Sequence, residues 1–316
     1  MALASPLQLP WPHQPPAPPP HLTLRLSGTG CRCTLSGVPS ISSFDPPRPA
    51  VILPGLGNSS GDYQRLQVSL QEYGVKSAVA RVSRLDWLRN AAGLLDPNYW
   101  KGTLRPRPVL DWYLSRVEEV VNEAKELAQG RRLSLVGHSA GGWLARVYME
   151  EFGKSDIALL LTLGTPHMPP PTGVVGVVDQ TRGLLDYVQQ HCANAVYTPE
   201  LKYVCIAGRY IRGVRAFGKP YEDSEDAGTG DIGERSDGTA VMTISKATVG
   251  VATLQARFIG QGYKQVCGRP DVWGDGVVPE VSAHLEGALN ISLDGVYHSP
   301  VGSNDLSRPC LEPDDA

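Results

Sequence analysis

The chain has 316 residues, of which 41% are hydrophobic, and a net charge of -3. That length suffices for one large α/β domain with its own core. No apolar run approaches the roughly 18 residues of a membrane span, and the near-balanced charge argues against nucleic acid as a partner.

Residues 1–49 read as an extension rather than as domain. Prolines crowd it (Pro15, Pro16, Pro18, Pro19, Pro20), serine follows, and no acidic residue precedes Asp45, whereas Arg25 and Arg32 add positive charge. The composition is that of an organellar transit peptide, plastid-like rather than mitochondrial because proline breaks an amphipathic helix. The expected localisation is therefore the plastid (chloroplast). A disordered proline-rich extension of a cytoplasmic protein is the alternative. A secretory signal is disfavoured, since no sustained apolar segment follows a basic start.

The domain is expected over residues 50–305. Residues 50–53 (AVIL) predict a buried strand that empties into the glycine loop Pro54-Gly55-Leu56-Gly57. Tyr63, Leu66, Leu70 and Tyr73 mark a helical face that stops at Gly74, and a second strand follows over 75–82. Residues 83–108 look irregular. Leu110, Leu114, Val117, Val121, Ala124 and Ala128 then recur at helical spacing, predicting an amphipathic helix over 109–129.

The stretch at 131–145, RRLSLVGHSAGGWLA, organises the rest. Leu133, Leu135 and Val136 form a short buried strand, Gly137-His138-Ser139-Ala140-Gly141 fits G-x-S-x-G, and Trp143, Leu144, Val147 and Tyr148 continue as a helix. Strand, tight turn and helix are the context in which that motif presents a serine hydroxyl at a helix N-terminus, where backbone N–H groups can receive an oxyanion.

Further strands are expected over 157–163, 201–207 and 288–293. Gly164-Thr165-Pro166-His167 closes the first of them, with His167 expected to shape the pocket. The apolar excursion at 168–199 is either a cap or one more helix over the sheet. Between Gly208 and Arg257 the sequence reads as a polar insertion, with the acidic run at 222–226 solvated. Its carboxylates lack the spacing of a calcium loop, and the six cysteines show no zinc spacing. No metal and no cofactor are expected.

The strand, serine turn and helix resemble those of α/β-hydrolases, and that resemblance implies an acid and base in the order Ser, Asp or Glu, His. Of the late histidines, His284 reads as part of an exposed helical turn, whereas His298 follows the last strand and is the candidate base. Asp275, between Gly274 and Gly276 and ahead of Val277-Val278-Pro279, is the candidate acid, with Asp271 as the alternative. A buried carboxylate accepting the histidine Nδ1–H would fix the tautomer that takes the serine proton.

Pro54-Gly55-Leu56-Gly57, the serine turn with Trp143-Leu144-Ala145-Arg146, and Leu163-Gly164-Thr165-Pro166-His167 together resemble the lipase-like α/β-hydrolases related to GPI inositol-deacylase, in particular the plant plastid-type members. The tail from Gly274-Asp275-Gly276 to Gly295-Val296-Tyr297-His298 is also similar to small bacterial lipases. Over roughly residues 50–305 the resemblance implies an α/β-hydrolase fold, a mostly parallel sheet flanked by helices. It also implies a serine ester hydrolase acting on lipid-like esters, with Ser139, Asp275 and His298 as triad and the backbone N–H groups of Leu56 and Ala140 as oxyanion hole. The expected partner is a small-molecule or lipid ester, with a membrane surface as a candidate contact. A lipid acyltransferase using the same triad and a non-catalytic binding protein are the alternatives. The final helix usual after the histidine is not seen: residues 306–316 form an irregular tail with Pro309 and Pro313, and a sheet face left bare there would make the monomer weakly stable.

Overall fold

The computed structural model describes residues 22–24, 47–215 and 241–300, with only the backbone of 22–24 and 241–253. The strands are β1 (Leu22–Leu24), β2 (Ala50–Leu53), β3 (Ser77–Val79), β4 (Leu133–His138), β5 (Ile157–Leu163), β6 (Lys202–Arg209), β7 (Ile211–Arg212), β8 (Trp273–Gly274) and β9 (Leu289–Asp294). The helices are α1 (Gln64–Glu72), α2 (Pro97–Lys101), α3 (Asp111–Ala128), α4 (Ala140–Phe152), α5 (Leu184–His191), α6 (Val241–Cys267) and α7 (Glu280–Ala283). The main sheet has the order β1-β9-β6-β5-β4-β2-β3, with every neighbouring pair parallel. β7 and β8 form a separate antiparallel pair.

Alternation along the central strands divides the core. Val51 and Leu53 of β2, with Leu133 and Leu135 of β4, pack with α3, α4 and α5. Ala50, Ile52 and Val136 point the other way, onto Tyr63 and Leu66 at the start of α1. Strands covered on both faces need near-continuous apolar sequence, which is why AVIL is buried throughout. The helices after β2 and β4 thus lie on opposite faces, and the crevice between the carboxyl ends of these adjacent strands is a topological switch point, where open α/β sheets place their ligands.

Several expectations are corrected. The stretch at 83–108 is ordered: a 3-10 helix spans Arg84–Leu95, capped by Ser83 and Asp86, and Asp96 caps α2, which has proline in its first turn. Both starts carry the Ser-x-x-Asp and Asp-Pro signals of helix entry. The polar insertion of 208–257 is helical from Val241, as part of α6; Gly250 and its β-branched neighbours lower local helix propensity and hide the pattern. Residues 216–240, with the acidic run, lie outside the described residues, as do the tail at 301–316 and the final-helix question. The strand expected over 75–82 is three residues long, and Tyr73 is exposed beyond the end of α1. Within the stretch read as an extension, Leu22–Leu24 pairs with β9. Of the excursion at 168–199, only α5 is helical; its Leu185 and Val188 join the core beneath α4, while the preceding loop walls the pocket described below. Among the described residues, no helix is long and apolar enough to cross a membrane.

Candidate active site

β4 is buried along its whole length and ends at His138. Ser139 then takes φ 51° and ψ -125°, a strained conformation for a residue with a side chain, and α4 begins at Ala140. The turn is held by the Ser139 N–H, which donates to the Leu163 carbonyl at 2.9 Å. Its glycines are sterically required: a Cβ on Gly141 would strike the Leu53 carbonyl, and one on Gly142 the Thr165 side chain. The 13 residues of α4 direct their positive N-terminal end at the serine.

The loop after β9 brings His298 Nε2 to 3.0 Å from Ser139 Oγ. Its Nδ1 lies 2.7 Å from Asp275 Oδ2. Asp275 is 2% exposed, and its Oδ1 accepts the N–H groups of Val277 at 3.0 Å and Val278 at 2.7 Å. The carboxylate is thus oriented on both oxygens, and the His298 N–H donates to the Asp275 carbonyl at 2.9 Å. Room for the pair comes from the end of β5, where Gly164 has φ 54°. A Cβ there would lie 2.6 Å from Asp275 Oδ2 and 3.0 Å from His298 Nδ1.

A cavity of about 370 Å³ opens in front of Ser139, within the size range of small-molecule sites. Leu56 and Ala140 line it beside the serine, with Trp143, Met168, Leu185 and Val278 among its apolar walls. The 3-10 segment and α2 contribute Trp87, Asn90 and Tyr99, residues that sequence reasoning left in an irregular stretch. Among the described residues, no cluster of His, Cys, Asp and Glu side chains could hold a metal ion.

Three other candidates lie apart. Asp271 accepts from Arg215 Nη2 at 3.1 Å, on the surface. His284 is not on an exposed turn: it is half-buried just after α7, with Nε2 3.2 Å from Ser292 Oγ. His167 does not line the pocket, whose wall passes from Pro166 to Met168. It is buried in the core, with Nε2 3.1 Å from Thr162 Oγ1, because the apolar proline and methionine take the pocket side of the turn.

Sequence reasoning missed His138 and Tyr63. The Tyr63 hydroxyl lies 2.8 Å from His138 Nδ1, and His138 Nε2 lies 2.9 Å from the His298 carbonyl oxygen. Burial above all, then the nearby His298, lowers the His138 pKa to about 3, so the ring is neutral. A histidine inside the serine motif was the available signal.

Residues 107–197 match the family described as the PGAP1-like alpha/beta domain. Over 92 residues the chain is 28% identical to the GPI inositol-deacylase of Cryptococcus neoformans var. neoformans serotype D (strain B-3501A), an alignment covering 28% of this chain and 12% of that protein. The chain thus spans only a small part of the curated relative it matches. Among solved structures, the mature lipase BlEst2 of Bacillus licheniformis is 18% identical, with 85% of this chain and 92% of that chain covered and a TM-score of 0.44. A soluble variant of monoglyceride lipase from Saccharomyces cerevisiae is 18% identical, with 52% and 70% covered and a TM-score of 0.34. The parallel sheet, the strained serine between β4 and α4, and the family match together make this chain an α/β-hydrolase-fold protein that carries a PGAP1-like alpha/beta stretch at residues 107–197.

Proposed function

We propose that the chain is a serine hydrolase that cleaves carboxylic esters of lipid-like molecules through an acyl-enzyme on Ser139. The observation that carries this reading is the hydrogen-bonded series Ser139 Oγ, His298 and Asp275 at the mouth of an apolar pocket. In the proposed reaction His298 Nε2 takes the serine proton as Oγ attacks the ester carbonyl. The Leu56 and Ala140 N–H groups receive the developing oxyanion. The imidazolium, stabilised by Asp275, then protonates the leaving alcohol. Water, deprotonated by the same His298, releases the acid and restores the serine. The relative named GPI inositol-deacylase removes an acyl group by its name, which is the same class of reaction.

A fluorophosphonate probe and a series of p-nitrophenyl esters of graded acyl length test the reading. Labelling and hydrolysis should both vanish in Ser139→Ala, with kcat lower by roughly 10⁴–10⁶. Undiminished hydrolysis by that variant sinks the proposal; labelling without hydrolysis, but with acyl transfer to an added alcohol, makes the enzyme an acyltransferase. A chain that never labels is a binding protein.

The substrate surface is proposed to be a lipid aggregate or membrane face. Leu85, Leu95 and Trp100 are 75%, 88% and 70% exposed on the segment that also supplies Trp87 and Tyr99 to the pocket. Leu85→Asp/Leu95→Asp should reduce sedimentation with phosphatidylcholine vesicles while sparing hydrolysis of a soluble ester; unchanged sedimentation removes the surface. The plastid is the proposed compartment, on the composition of residues 1–49.

A further inference from the structure

We infer that Tyr63 and His138 are positioning residues that hold the oxyanion loop and the His298 imidazole in register with Ser139. The inference rests on the serine-hydrolase reading above. It follows one continuous chain of hydrogen bonds whose directions are fixed by chemistry. The Gly55 N–H donates to the Tyr63 hydroxyl oxygen at 2.8 Å. His138 Nε2 faces the His298 carbonyl at 2.9 Å, and a carbonyl only accepts, so Nε2 carries the proton. Nδ1 of His138 is then the acceptor, and the Tyr63 O–H donates to it at 2.8 Å. Each contact has one direction, with Tyr63 and His138 each accepting from one neighbour and donating to the next, so the chain links Gly55 to His298.

The two ends are the two parts of the proposed chemistry that must be aligned with Ser139. Gly55 immediately precedes Leu56, whose N–H is assigned to the oxyanion. The Gly55 N–H belongs to the Pro54–Gly55 peptide, so its tie to Tyr63 fixes the backbone just before Leu56, while the carbonyl of the Gly55–Leu56 peptide accepts the Asn58 N–H at 3.1 Å. At the other end, His298 is held at three points: its N–H by the Asp275 carbonyl, its Nδ1 by Asp275 Oδ2, and its carbonyl by His138. The third point fixes the loop as well as the ring. The rings of His138 and His298 are 4.9 Å apart at 41°, close enough that displacement of one presses on the other.

The spine lies behind the reacting atoms. Neither Tyr63 nor His138 lines the cavity, and both are buried. Their contribution is therefore to the geometry of the transition state and not to the binding of the acyl chain. Nor does His138 compete with His298 for the serine proton: its Nδ1 is taken by the Tyr63 hydroxyl and its Nε2 by the His298 carbonyl.

The test uses the full chain and p-nitrophenyl butyrate, with active sites counted by fluorophosphonate so that unfolded protein does not enter kcat. Tyr63→Phe keeps the ring and removes the hydroxyl. It should lower kcat by about 10- to 100-fold per labelled site, with KM unchanged within about twofold, in line with loss of an oriented oxyanion donor. His138→Gln offers a donor toward the His298 carbonyl and should keep most of the activity. His138→Leu offers none and should lose as much as Tyr63→Phe. The double variant Tyr63→Phe/His138→Leu should be no worse than His138→Leu alone, as members of one chain are not additive.

Full kcat per site in Tyr63→Phe, a change in KM alone, or multiplied losses in the double variant overturns the inference. An inactive Ser139→Ala beside a fully active Tyr63→Phe places the failure in the positioning chain. An active Ser139→Ala places it in the underlying hydrolase reading and removes both. Should Tyr63→Phe not fold, the contrast between Gln and Leu at His138 decides alone.

Discussion

Replacing Asp275 by asparagine removes one proton acceptor at almost constant size. Two N–H donors, those of Val277 and Val278, converge on Oδ1, so the amide oxygen of the asparagine must occupy that position. The opposite orientation would leave two backbone amides facing an NH₂ group, at about 1–3 kcal/mol for each unpaired group. The asparagine NH₂ consequently takes the place of Oδ2, 2.7 Å from His298 Nδ1, and can only donate. His298 Nδ1 must then accept, its proton moves to Nε2, and Nε2 points that proton at Ser139. A histidine in this tautomer cannot take the serine proton, and the loss is about 10⁴ in kcat, or roughly 5.5 kcal/mol of transition-state stabilisation. Hydrolysis of a chromogenic ester, with the rate of fluorophosphonate labelling alongside, reads it directly. Asp271→Asn is the internal control and should stay near wild type. A folded Asp275→Asn variant within tenfold of wild type would refute the argument, most plainly if Asp271→Asn were the slower of the two.

Gly164→Ala should lower both activity and stability. Its Cβ would sit 2.6 Å from Asp275 Oδ2 at φ 54°, forcing a shift approaching 1 Å in the acid, a displacement that costs about 10²-fold in rate. The left-handed backbone adds about 1–2 kcal/mol, so a thermal melt and a kcat measurement that both match wild type would contradict the geometry. Acid should destabilise the fold well before carboxylates titrate. Burial above all holds the pKa values of His138 and His167 near 3 in the folded chain, against about 6.5 when unfolded. The unfolded chain therefore binds protons first, and stability is complete above pH 6.5 and is lost as pH falls toward 3. At pH 5 the loss is about 2 kcal/mol for each ring. A melting temperature that is flat from pH 7 to 5 would contradict the buried neutral rings. Fused to a fluorescent protein, residues 1–49 should direct import into plastids and be cleaved, which would also remove the edge strand Leu22–Leu24 from the sheet; a full-length cytosolic fusion would remove the plastid reading.

The serine turn was legible because three sequence signals coincide there: apolar β4, a glycine-flanked serine and the helical face of α4. Order along the chain was enough to choose His298 over His284 and to rank Asp275 first. These are the side chains found within hydrogen-bonding distance of one another. What escaped reading depends on contacts between distant segments. Trp87 and Tyr99 reach the pocket from a 3-10 helix and a five-residue helix too short to show periodicity. His138 and Tyr63 are 75 positions apart, and nothing local marks them as partners. α6 was hidden by glycine and β-branched residues that only tertiary packing overrides, as where fully buried Tyr263 sends its hydroxyl to the Ile211 carbonyl.

The site is assembled from the ends of strands that are far apart in the chain. Leu56 follows β2, Ser139 follows β4, Asp275 follows β8 and His298 follows β9. Asp275 and His298 reach Ser139 only after more than a hundred further residues have been added, and their loops are tied together by backbone bonds that need β6 and β9 in place. No fragment ending before His298 can hold the arrangement, so on the proposed reading a nascent or clipped chain should not react at Ser139. Such long-range closures come late in folding. With Ser139 as the proposed nucleophile, its labelling by a phosphonate should appear only once β6 and β9 are paired, and following it during refolding would time that pairing.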